Sequence, residues 1–259
     1  MNLVNYMGRI ISVVNQKGGV GKTTTAVNLG AYLASYGKFV LLVDIDPQGN
    51  ASSGLGLKPE KTQKGVYEGL IGASPIRDII QRTSLEGYHL VPATISLAGA
   101  NVELVNMERR EFRLQETLLE IKHDFDYILI DCPPSLGLLT INGLTAADEI
   151  LVPVQCEYYA LEGLSQLLQT IELVKANIKP QLSVLGAVLT MFDKRNRLSE
   201  AVMKEIYQYF PNKIFRSVIP RNVTLAEAPS HGLPVIHYDP HSKGAKAYER
   251  LAREIIEQE

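Results

Sequence analysis

The sequence has few cysteines, no long apolar run and no signal-peptide pattern. Its two cysteines, Cys132 and Cys156, cannot build a disulfide framework, and neither belongs to a CxxC pair or to a cluster with metal-ligand spacing. No stretch approaches the roughly 18 apolar residues of a membrane span, and residues 1–8 lack a charged start, an apolar run and a cleavage site. We therefore expect a cytoplasmic chain, neither exported nor membrane-spanning.

An excess of charge of one sign is also missing. The 26 Lys and Arg side chains face 28 Asp and Glu, which gives a formal net charge of -2. This balance argues against a protein whose whole surface attracts nucleic acid. The charges are segregated, however, because residues 193–253 carry eleven basic and six acidic side chains, a surplus of +5 against -7 elsewhere. A local basic patch is therefore compatible with the composition.

Short β-branched runs alternate with longer helical patterns along the chain. This alternation predicts an α/β fold with a mostly parallel, twisted sheet of about seven to eight strands and helices on both faces. The predicted strands are 9–14, 39–43, 89–91, 127–130, 150–154, 184–190 and 214–218. The predicted helices are 22–35, 98–121, 136–146, 161–176, 199–209 and 242–258.

The organisation of the chain predicts one domain over residues 1–259. It shows no internal repeat, no low-complexity tract and no dividing linker, and the Gly- and Lys-rich stretch 54–65 is interpreted as a mobile surface loop. The first predicted strand begins at Arg9, which leaves no room for an N-terminal helix-turn-helix. Sequence-specific operator binding is therefore not expected.

The most informative segment is residues 9–25, RIISVVNQKGGVGKTTT. A strand, a Gly-rich turn and a helix start follow one another, so that backbone N–H groups and the helix N-terminus can surround a polyphosphate. In such a loop Lys22 reaches the β- and γ-phosphates, and the Thr23 hydroxyl ligates Mg²⁺. The strict G-x-x-x-x-G-K-[ST] pattern fails because Gln16 occupies the first glycine position, and a second lysine, Lys17, stands at the head of the loop.

Aspartates follow two further apolar strands. Asp44 and Asp46 come at the end of one, and Asp131 ends another, where open α/β sheets place their ligands. A single Asp at a strand end is often a helix cap or turn residue, but three such acids beside a phosphate loop favour metal and water roles. We expect Asp131 to hold Mg²⁺ through water.

Five motifs together resemble the deviant Walker A ATPases, and within them the ParA/Soj chromosome-partitioning group of the ParA/MinD superfamily. They are KGGVGKTTTAVNLG, LLVDIDPQGNASSGLG, DYILIDCPPSLGLLTINGL, PVQCEYYALEGLSQL and VIPRNVTLAEAPSHG. The resemblance extends from Arg9 to the C-terminus. It implies a P-loop NTPase fold and hydrolysis of ATP with Mg²⁺ as cofactor.

The resemblance also implies an ATP-dependent sandwich dimer. Lys17 would reach the partner's nucleotide and supply charge in the transition state, as an arginine finger does. Asp46 would position the attacking water and Asp44 would support the Mg²⁺ shell. The ATP-binding residues would be Lys17, Gly18, Gly19, Val20, Gly21, Lys22, Thr23 and Thr24. Hydrolysis is expected to be slow until the dimer completes the site.

The adenine contact implied by the resemblance lies at residues 220–222. Pro220 would pack on the ring, and the Asn222 amide could contact its edge. The alternative is a turn that ends a strand, because Pro and Asn are common turn formers.

ATP-bound dimers of this group bind DNA without sequence preference, and a ParB-type partner stimulates hydrolysis and releases them. The resemblance thus implies a nucleoid-associated protein that segregates chromosome or plasmid copies. The basic surplus in residues 193–253 offers a physical basis, because a charged face can hold phosphates despite a near-neutral total. The predicted double-stranded DNA contacts are Lys194, Arg195, Arg197, Arg221, Lys243 and Lys246.

Other readings use the same nucleotide loop. A MinD-like membrane-cycling ATPase would carry a basic amphipathic C-terminal helix, whereas this chain ends in Glu-Gln-Glu, so stable membrane association is not expected. A nitrogenase-iron-protein-like electron carrier would need cysteines placed to bridge a cluster, which Cys132 and Cys156 do not suggest. A metabolic phosphotransferase remains open, and a tyrosine kinase would show a C-terminal tyrosine cluster, where this chain has Tyr248 alone.

Overall fold

The computed structural model describes residues 8–157, 160–193 and 197–258. Its centre is a seven-stranded sheet. The strands are β1 (Arg9–Val13), β2 (Val40–Asp44), β3 (Gln81–Arg82), β4 (Tyr88–Val91), β5 (Tyr127–Asp131), β6 (Glu149–Gln155) and β7 (Ser183–Thr190). They lie in the order β3-β4-β2-β5-β1-β6-β7, all parallel except β3, which pairs antiparallel with β4. The predicted fold class is confirmed.

Helices connect the strands and cover the sheet. They are α1 (Lys22–Ser35), α2 (Asn50–Gly54), α3 (Val66–Leu70), α4 (Leu97–Glu103), α5 (Arg113–Leu119), α6 (Leu138–Ala146), α7 (Ala160–Asn177), α8 (Arg197–Tyr209), α9 (Val223–Glu227), α10 (Val235–Tyr238) and α11 (Lys243–Ile256). Short 3-10 turns are Pro59–Lys61, Ile76–Asp78, Leu104–Asn106, Lys122–Asp124 and Ala228–His231. Within the described ranges, no helix is both long and apolar enough to cross a bilayer.

Two apolar clusters hold these layers together, one on each face of the sheet. The first contains buried side chains of α4, α5, α6, α7 and α8, and the second those of α1 and α11. Strand β1 contributes to both, because Ile10 lies in the first cluster while Ile11 and Val13 lie in the second. Burial on both faces explains why β2 and β5 are apolar almost throughout.

The carboxyl ends of the central strands meet at one edge of the sheet. In the register of the sheet, Asp131 at the end of β5 is the partner of Asp44 on β2 and of Val13 on β1. The chain leaves β1 there and enters α1 at Lys22. Sheet register therefore brings the phosphate loop and the two buried aspartates to the same place, as the sequence predicts.

The seventh predicted strand, at 214–218, is wrong, because this segment forms only isolated bridges. Phe215 N donates a hydrogen bond to the Ala187 carbonyl of β7, and Ile219 N donates one to the Leu189 carbonyl. The two acceptors on β7 are two residues apart, whereas the two donors are four residues apart. The mismatch prevents a regular ladder, and the extra residues turn toward Glu254, whose carboxylate accepts a hydrogen bond from Ser217 Oγ (2.5 Å). Sequence reasoning also missed β3, a two-residue edge strand.

The single helix predicted at 98–121 is also wrong. The chain forms α4, a 3-10 turn and then α5, with Arg109 between them in the left-handed region (φ 52°). Buried leucines of both helices enter the same core, so apolar spacing alone does not show the break. The stretch 54–65 contains the 3-10 turn Pro59–Lys61, and Gly65 at its end is buried.

Candidate nucleotide site

The phosphate loop joins β1 to α1. Gly21, directly before the helix, has φ 89°, a left-handed conformation that a side chain would strain. No side chain caps the N-terminus of α1, and its first turn carries no acidic residue. The first N–H groups of α1 are therefore available to an anion, and the helix dipole favours negative charge there.

Lys22 is buried in the loop, 6% exposed. Its Nζ donates a hydrogen bond to the Lys17 backbone carbonyl at 3.1 Å. Burial lowers the pKa of Lys22, and the charges of Asp131 and Asp46 partly offset this effect. The ammonium group is thus held at the loop by one neutral acceptor, the Lys17 carbonyl, which a phosphate oxygen can replace.

Asp131 is the least satisfied polar group in the site. It is fully buried, and neither carboxylate oxygen accepts a well-formed hydrogen bond from the described residues. Burial and the neighbouring Asp44 raise the pKa of Asp131 well above its usual range, although the Thr23 hydroxyl and the Lys22 charge act against the increase. A buried carboxylate without partners fits a divalent cation, which would stabilise its charged form.

The described His, Cys, Asp and Glu side chains form no ready cage of three metal ligands. This agrees with magnesium chemistry, because Mg²⁺ is usually held by one or two protein oxygens together with waters and substrate phosphates. Thr23 and Asp131 are the residues that could hold it, as the sequence predicts for both.

Asp44 is fully buried, and other groups occupy both of its oxygens. Oδ2 accepts hydrogen bonds from Ser52 N (2.8 Å) and Ser52 Oγ (2.7 Å), while Oδ1 accepts one from Asp46 N (3.2 Å). Burial raises the pKa of Asp44 to about 6. Asp44 therefore fastens the turn that carries Asp46.

Ser52 is a residue that sequence reasoning missed. Its Oγ also accepts a hydrogen bond from Ala93 N (3.0 Å), so that one hydroxyl joins β2, α2 and the end of β4. The signal in the sequence was a serine eight positions after Asp44, but its role depends on packing against Ala93, which no local pattern shows.

A cavity of about 650 Å³ opens between the phosphate loop and the C-terminal part of the chain. Asp46, 6% exposed, lies in its wall, and its Oδ1 accepts a hydrogen bond from Gln48 N (3.0 Å). The loop side of the wall is formed by Gly18, Gly19, Gly21, Lys22, Thr23 and Thr24. This volume and lining suit a nucleoside triphosphate.

The predicted adenine residues Pro220 and Asn222 are not part of that wall. Asn222 instead caps α9, and its side-chain oxygen accepts a hydrogen bond from Leu225 N (3.3 Å). The alternative that the sequence allowed, a turn that ends a strand, is not what forms, because the segment before it is not a strand and Asn222 begins a helix. Sequence reasoning missed the apolar residues that line this side of the cavity, which are Leu225, Ala226, Ala228, Pro229 and Leu233.

Lys17 is held away from the cavity. Its backbone N donates to Asn15 Oδ1 (3.0 Å), and Asn15 is tied to β6 through the Pro153 carbonyl (2.7 Å). Its ammonium group lies 3.4 Å from Glu157 Oε2. Within its own chain, therefore, Lys17 contacts an acid rather than the nucleotide cavity.

The candidate DNA residues divide into two groups. Lys194 and Arg195 lie outside the described residues, as does the Arg197 side chain at the start of α8. Arg221 is exposed and pairs with Glu157 Oε1 at 3.6 Å. Of the two exposed lysines on α11, Lys246 pairs with Glu249 at 3.4 Å.

The start of α11 packs against the segment after Arg221. A Cβ on Gly244 would lie 2.9 Å from the Asn222 side-chain oxygen, so the backbone of α11 closely approaches the Asn222 side chain. This contact places the beginning of α11, with Lys243, next to the region of Arg221. The structure thus brings these two predicted contacts near each other.

Comparison with known proteins agrees with this geometry. The family model of the AAA domain matches residues 8–184. The sporulation initiation inhibitor protein Soj of Bacillus subtilis (strain 168) is 57% identical over 249 residues, covering 96% of this chain and 98% of its own. The chromosome partitioning protein ParA of Myxococcus xanthus (strain DK1622) is 53% identical over 253 residues, covering 98% and 89%.

A crystal structure described as cobyrinic acid a,c-diamide synthase from Mycobacterium smegmatis, with bound ATP analog and magnesium, is also similar to this chain. It has a TM-score of 0.86 and 40% identity, and the match covers 97% of this chain and 95% of that one. The fold and these relatives define a P-loop ATPase that uses ATP and Mg²⁺. The chain belongs to the ParA/Soj family of chromosome-partitioning ATPases.

Proposed function

We propose that this ATPase forms an ATP-dependent sandwich dimer, binds double-stranded DNA without sequence preference, and segregates chromosome or plasmid copies with a ParB-type partner. The observation that carries the proposal is the placement of Lys17. Its ammonium group contacts Glu157, 3.4 Å away, and Lys17 does not line the nucleotide cavity of its own chain. A lysine at the head of the phosphate loop that does not serve its own nucleotide is available to a second copy.

Each predicted site residue then has a distinct part. The N–H groups at the start of α1 bind the phosphates, together with Lys22. Thr23 and Asp131 hold Mg²⁺, which when bound neutralises charge on the phosphate oxygens. Asp46 lies in the cavity wall and orients the attacking water, and Asp44 keeps the Asp46 turn in place. Apolar residues of 225–233 receive the base in place of Pro220.

Hydrolysis in this arrangement depends on positioning. Among the described residues of the cavity wall, Asp46 is the one carboxylate and no histidine is present, so the attacking water must be held in line by Asp46. Charge on the transferred phosphoryl group is stabilised by Lys22 from one chain and by Lys17 from the partner chain. An isolated chain lacks the second lysine at its nucleotide. Fast ATP hydrolysis therefore requires dimerisation.

DNA binding is supported by the exposed cations at Arg221, Lys243 and Lys246, together with the predicted contacts 194–197. The Soj and ParA relatives support the partitioning role and the ParB-type partner. We propose that the chain acts as one ATPase domain, in the cytoplasm on the nucleoid and without stable membrane association.

The deciding experiment measures ATP hydrolysis with and without duplex DNA and with ParB N-terminal peptides, with no small-molecule acceptor present. The proposal predicts slow basal turnover that rises with both additions. Turnover that requires a small-molecule acceptor would instead support a metabolic phosphotransferase. ATP-dependent co-sedimentation with anionic liposomes would favour the MinD-like alternative.

A further inference from the structure

A second cavity, about 580 Å³ in volume, lies beside the nucleotide cavity. Its lining includes Lys58, Lys61 and Lys64, with Asp78 as the acidic residue. We call these three residues the lysine triad. They are exposed and spaced three residues apart, all three line this cavity, and the 3-10 turn Pro59–Lys61 begins directly after Lys58.

The ammonium groups of the lysine triad have no ion-pair or hydrogen-bond partner among the described residues. Other surface lysines of the chain do have partners, such as Lys175 with Glu172 at 3.1 Å and Lys246 with Glu249 at 3.4 Å. Three unpaired cations around one concave surface create a positive potential that attracts an anion.

The lining favours phosphate over a peptide carboxylate. Besides the lysines it consists mainly of polar side chains and backbone, with Leu57 as its apolar side chain and no aromatic residue. A peptide ligand requires pockets for its side chains, whereas a phosphate backbone requires cations spaced along a polar surface.

The segment that carries the triad also touches the nucleotide site. A Cβ on Gly49 would lie 2.6 Å from Pro59 Cγ, so Pro59 packs directly on Gly49. Gly49 N donates a hydrogen bond to the carbonyl oxygen of Asp46 (2.9 Å). Any movement of the triad segment is therefore transmitted through one proline to the turn that carries Asp46.

A second contact joins this segment to the opposite wall. A Cβ on Gly232 would lie 2.7 Å from Gly56 Cα, and Gly232 follows the 3-10 turn Ala228–His231 that helps to line the nucleotide cavity. Residues 56–59 thus lie between the two walls of the nucleotide site.

We propose that the lysine triad is a second binding site for the phosphates of duplex DNA, and that its occupancy stimulates hydrolysis through the Pro59–Gly49 contact. The lining of this site contains none of the predicted contacts Lys194, Arg195, Arg197, Arg221, Lys243 and Lys246. The inference rests on the proposed DNA-binding function. It adds a contact surface and a route by which DNA reaches the catalytic turn.

The first test compares DNA affinity over a range of salt concentrations. The triple variant Lys58→Gln/Lys61→Gln/Lys64→Gln is expected to bind DNA roughly tenfold more weakly at low salt. Its slope of log K against log salt should be shallower by up to about 0.9 for each lost phosphate contact. The matched control removes three cations elsewhere, the exposed Arg77 and Arg109 and the half-buried Lys175 (Arg77→Gln/Arg109→Gln/Lys175→Gln), and should keep the wild-type slope.

The second test uses the wild-type chain. Duplex DNA added to the ATP-loaded protein should protect the lysine triad from amine acetylation, while Lys175 remains labelled. Mass spectrometry measures the acetylated fraction at each lysine. Unchanged labelling of the triad, or a wild-type slope in the triple variant, would overturn the inference while leaving the proposed DNA binding intact. Absence of DNA binding by the wild-type chain would instead overturn the proposed function.

The third test isolates the route to Asp46. Pro59→Ala keeps all three lysines but shortens the side chain that packs on Gly49. DNA affinity should remain within about twofold of wild type because no cation is lost. DNA stimulation of ATP hydrolysis, measured as the ratio of turnover with DNA to turnover without DNA in the same variant, should fall severalfold. Full stimulation in this variant would show that the coupling does not run through Pro59.

Discussion

The ammonium group of Lys17 lies 3.4 Å from Oε2 of Glu157, in the same chain. The other oxygen of this carboxylate is held by Gln155 Nε2 (2.6 Å) and by Arg221 (3.6 Å), so Oε2 is presented to Lys17. Formation of the proposed dimer must break this pair before Lys17 can reach a partner's nucleotide. The pair is therefore expected to oppose dimerisation.

Glu157→Gln should strengthen ATP-dependent dimer formation. A partly exposed ion pair contributes about 0.2–1 kcal/mol, and dimer formation breaks one such pair in each chain, so the expected gain in dimer affinity is up to about thirtyfold. Analytical ultracentrifugation with an ATP analogue measures it. Glu116→Gln removes another surface acid, one that pairs with Arg109 at 2.7 Å, and should leave dimer affinity unchanged. A weaker dimer in Glu157→Gln would show that Glu157 supports the active position of Lys17.

Lys17→Ala should leave a chain that binds ATP and remains a monomer. The remaining phosphate-loop groups lie in the cavity wall and do not depend on the Lys17 side chain. Hydrolysis should fall on the order of a thousandfold, the usual effect of removing a cation that acts across an interface. ATP binding is measured by calorimetry and mass by light scattering. A stable ATP-dependent dimer in this variant would contradict the role given to Lys17.

Asp131→Asn should stabilise the nucleotide-free chain near neutral pH, by about 1–3 kcal/mol. Burial raises the pKa of Asp131, so the folded chain retains a proton that the unfolded chain releases above about pH 4. Wild-type stability should therefore decrease as pH rises above 4. Because Asp44 adds the same trend up to its pKa of about 6, the comparison is best made between pH 6 and 8.

Urea unfolding without nucleotide gives the free energies for this comparison. The same variant should lose Mg²⁺-dependent hydrolysis, because Asn offers no negative charge to the cation. Equal stability of the two proteins at pH 8, together with normal hydrolysis, would show that Asp131 is not a strained metal-binding carboxylate.

Ser52→Ala should reduce both stability and turnover. It removes the hydroxyl that donates to Asp44 and accepts from Ala93, and it leaves buried polar groups unsatisfied. The expected loss is about 1–3 kcal/mol in the free energy of unfolding. Ser84→Ala, at an exposed position, is the control. A fully stable and active Ser52→Ala protein would remove Ser52 from the support of the Asp46 turn.

The phosphate loop and the three aspartates could be predicted because each lies within a few residues of an apolar strand. Parallel strands bring such positions to one edge of the sheet, so local order in the chain is enough to place Lys22, Asp44 and Asp131 together. The helix α1 was predicted with its observed bounds, 22–35, because its start follows directly from the local order of strand, Gly-rich turn and helix.

The features that could not be predicted depend on contacts between distant segments. Glu157 meets Lys17 across 140 positions of the chain, and the pairing follows from the neighbouring ends of β1 and β6. The break at Arg109 leaves the apolar spacing of both helices intact. Asn222 was open to an adenine contact or a turn that ends a strand, whereas the structure makes it the cap of α9, a short helix that the sequence pattern did not predict.

The most direct test of the central claim is the solution mass of Asp46→Ala by light scattering, with Mg²⁺ and ATP or ADP. This variant keeps the phosphate loop but lacks the carboxylate that we propose orients the attacking water, so ATP should persist in its site. The account predicts a dimer of twice the 28.6 kDa chain with ATP and a monomer with ADP. A monomer with both nucleotides would contradict an ATP-dependent dimer.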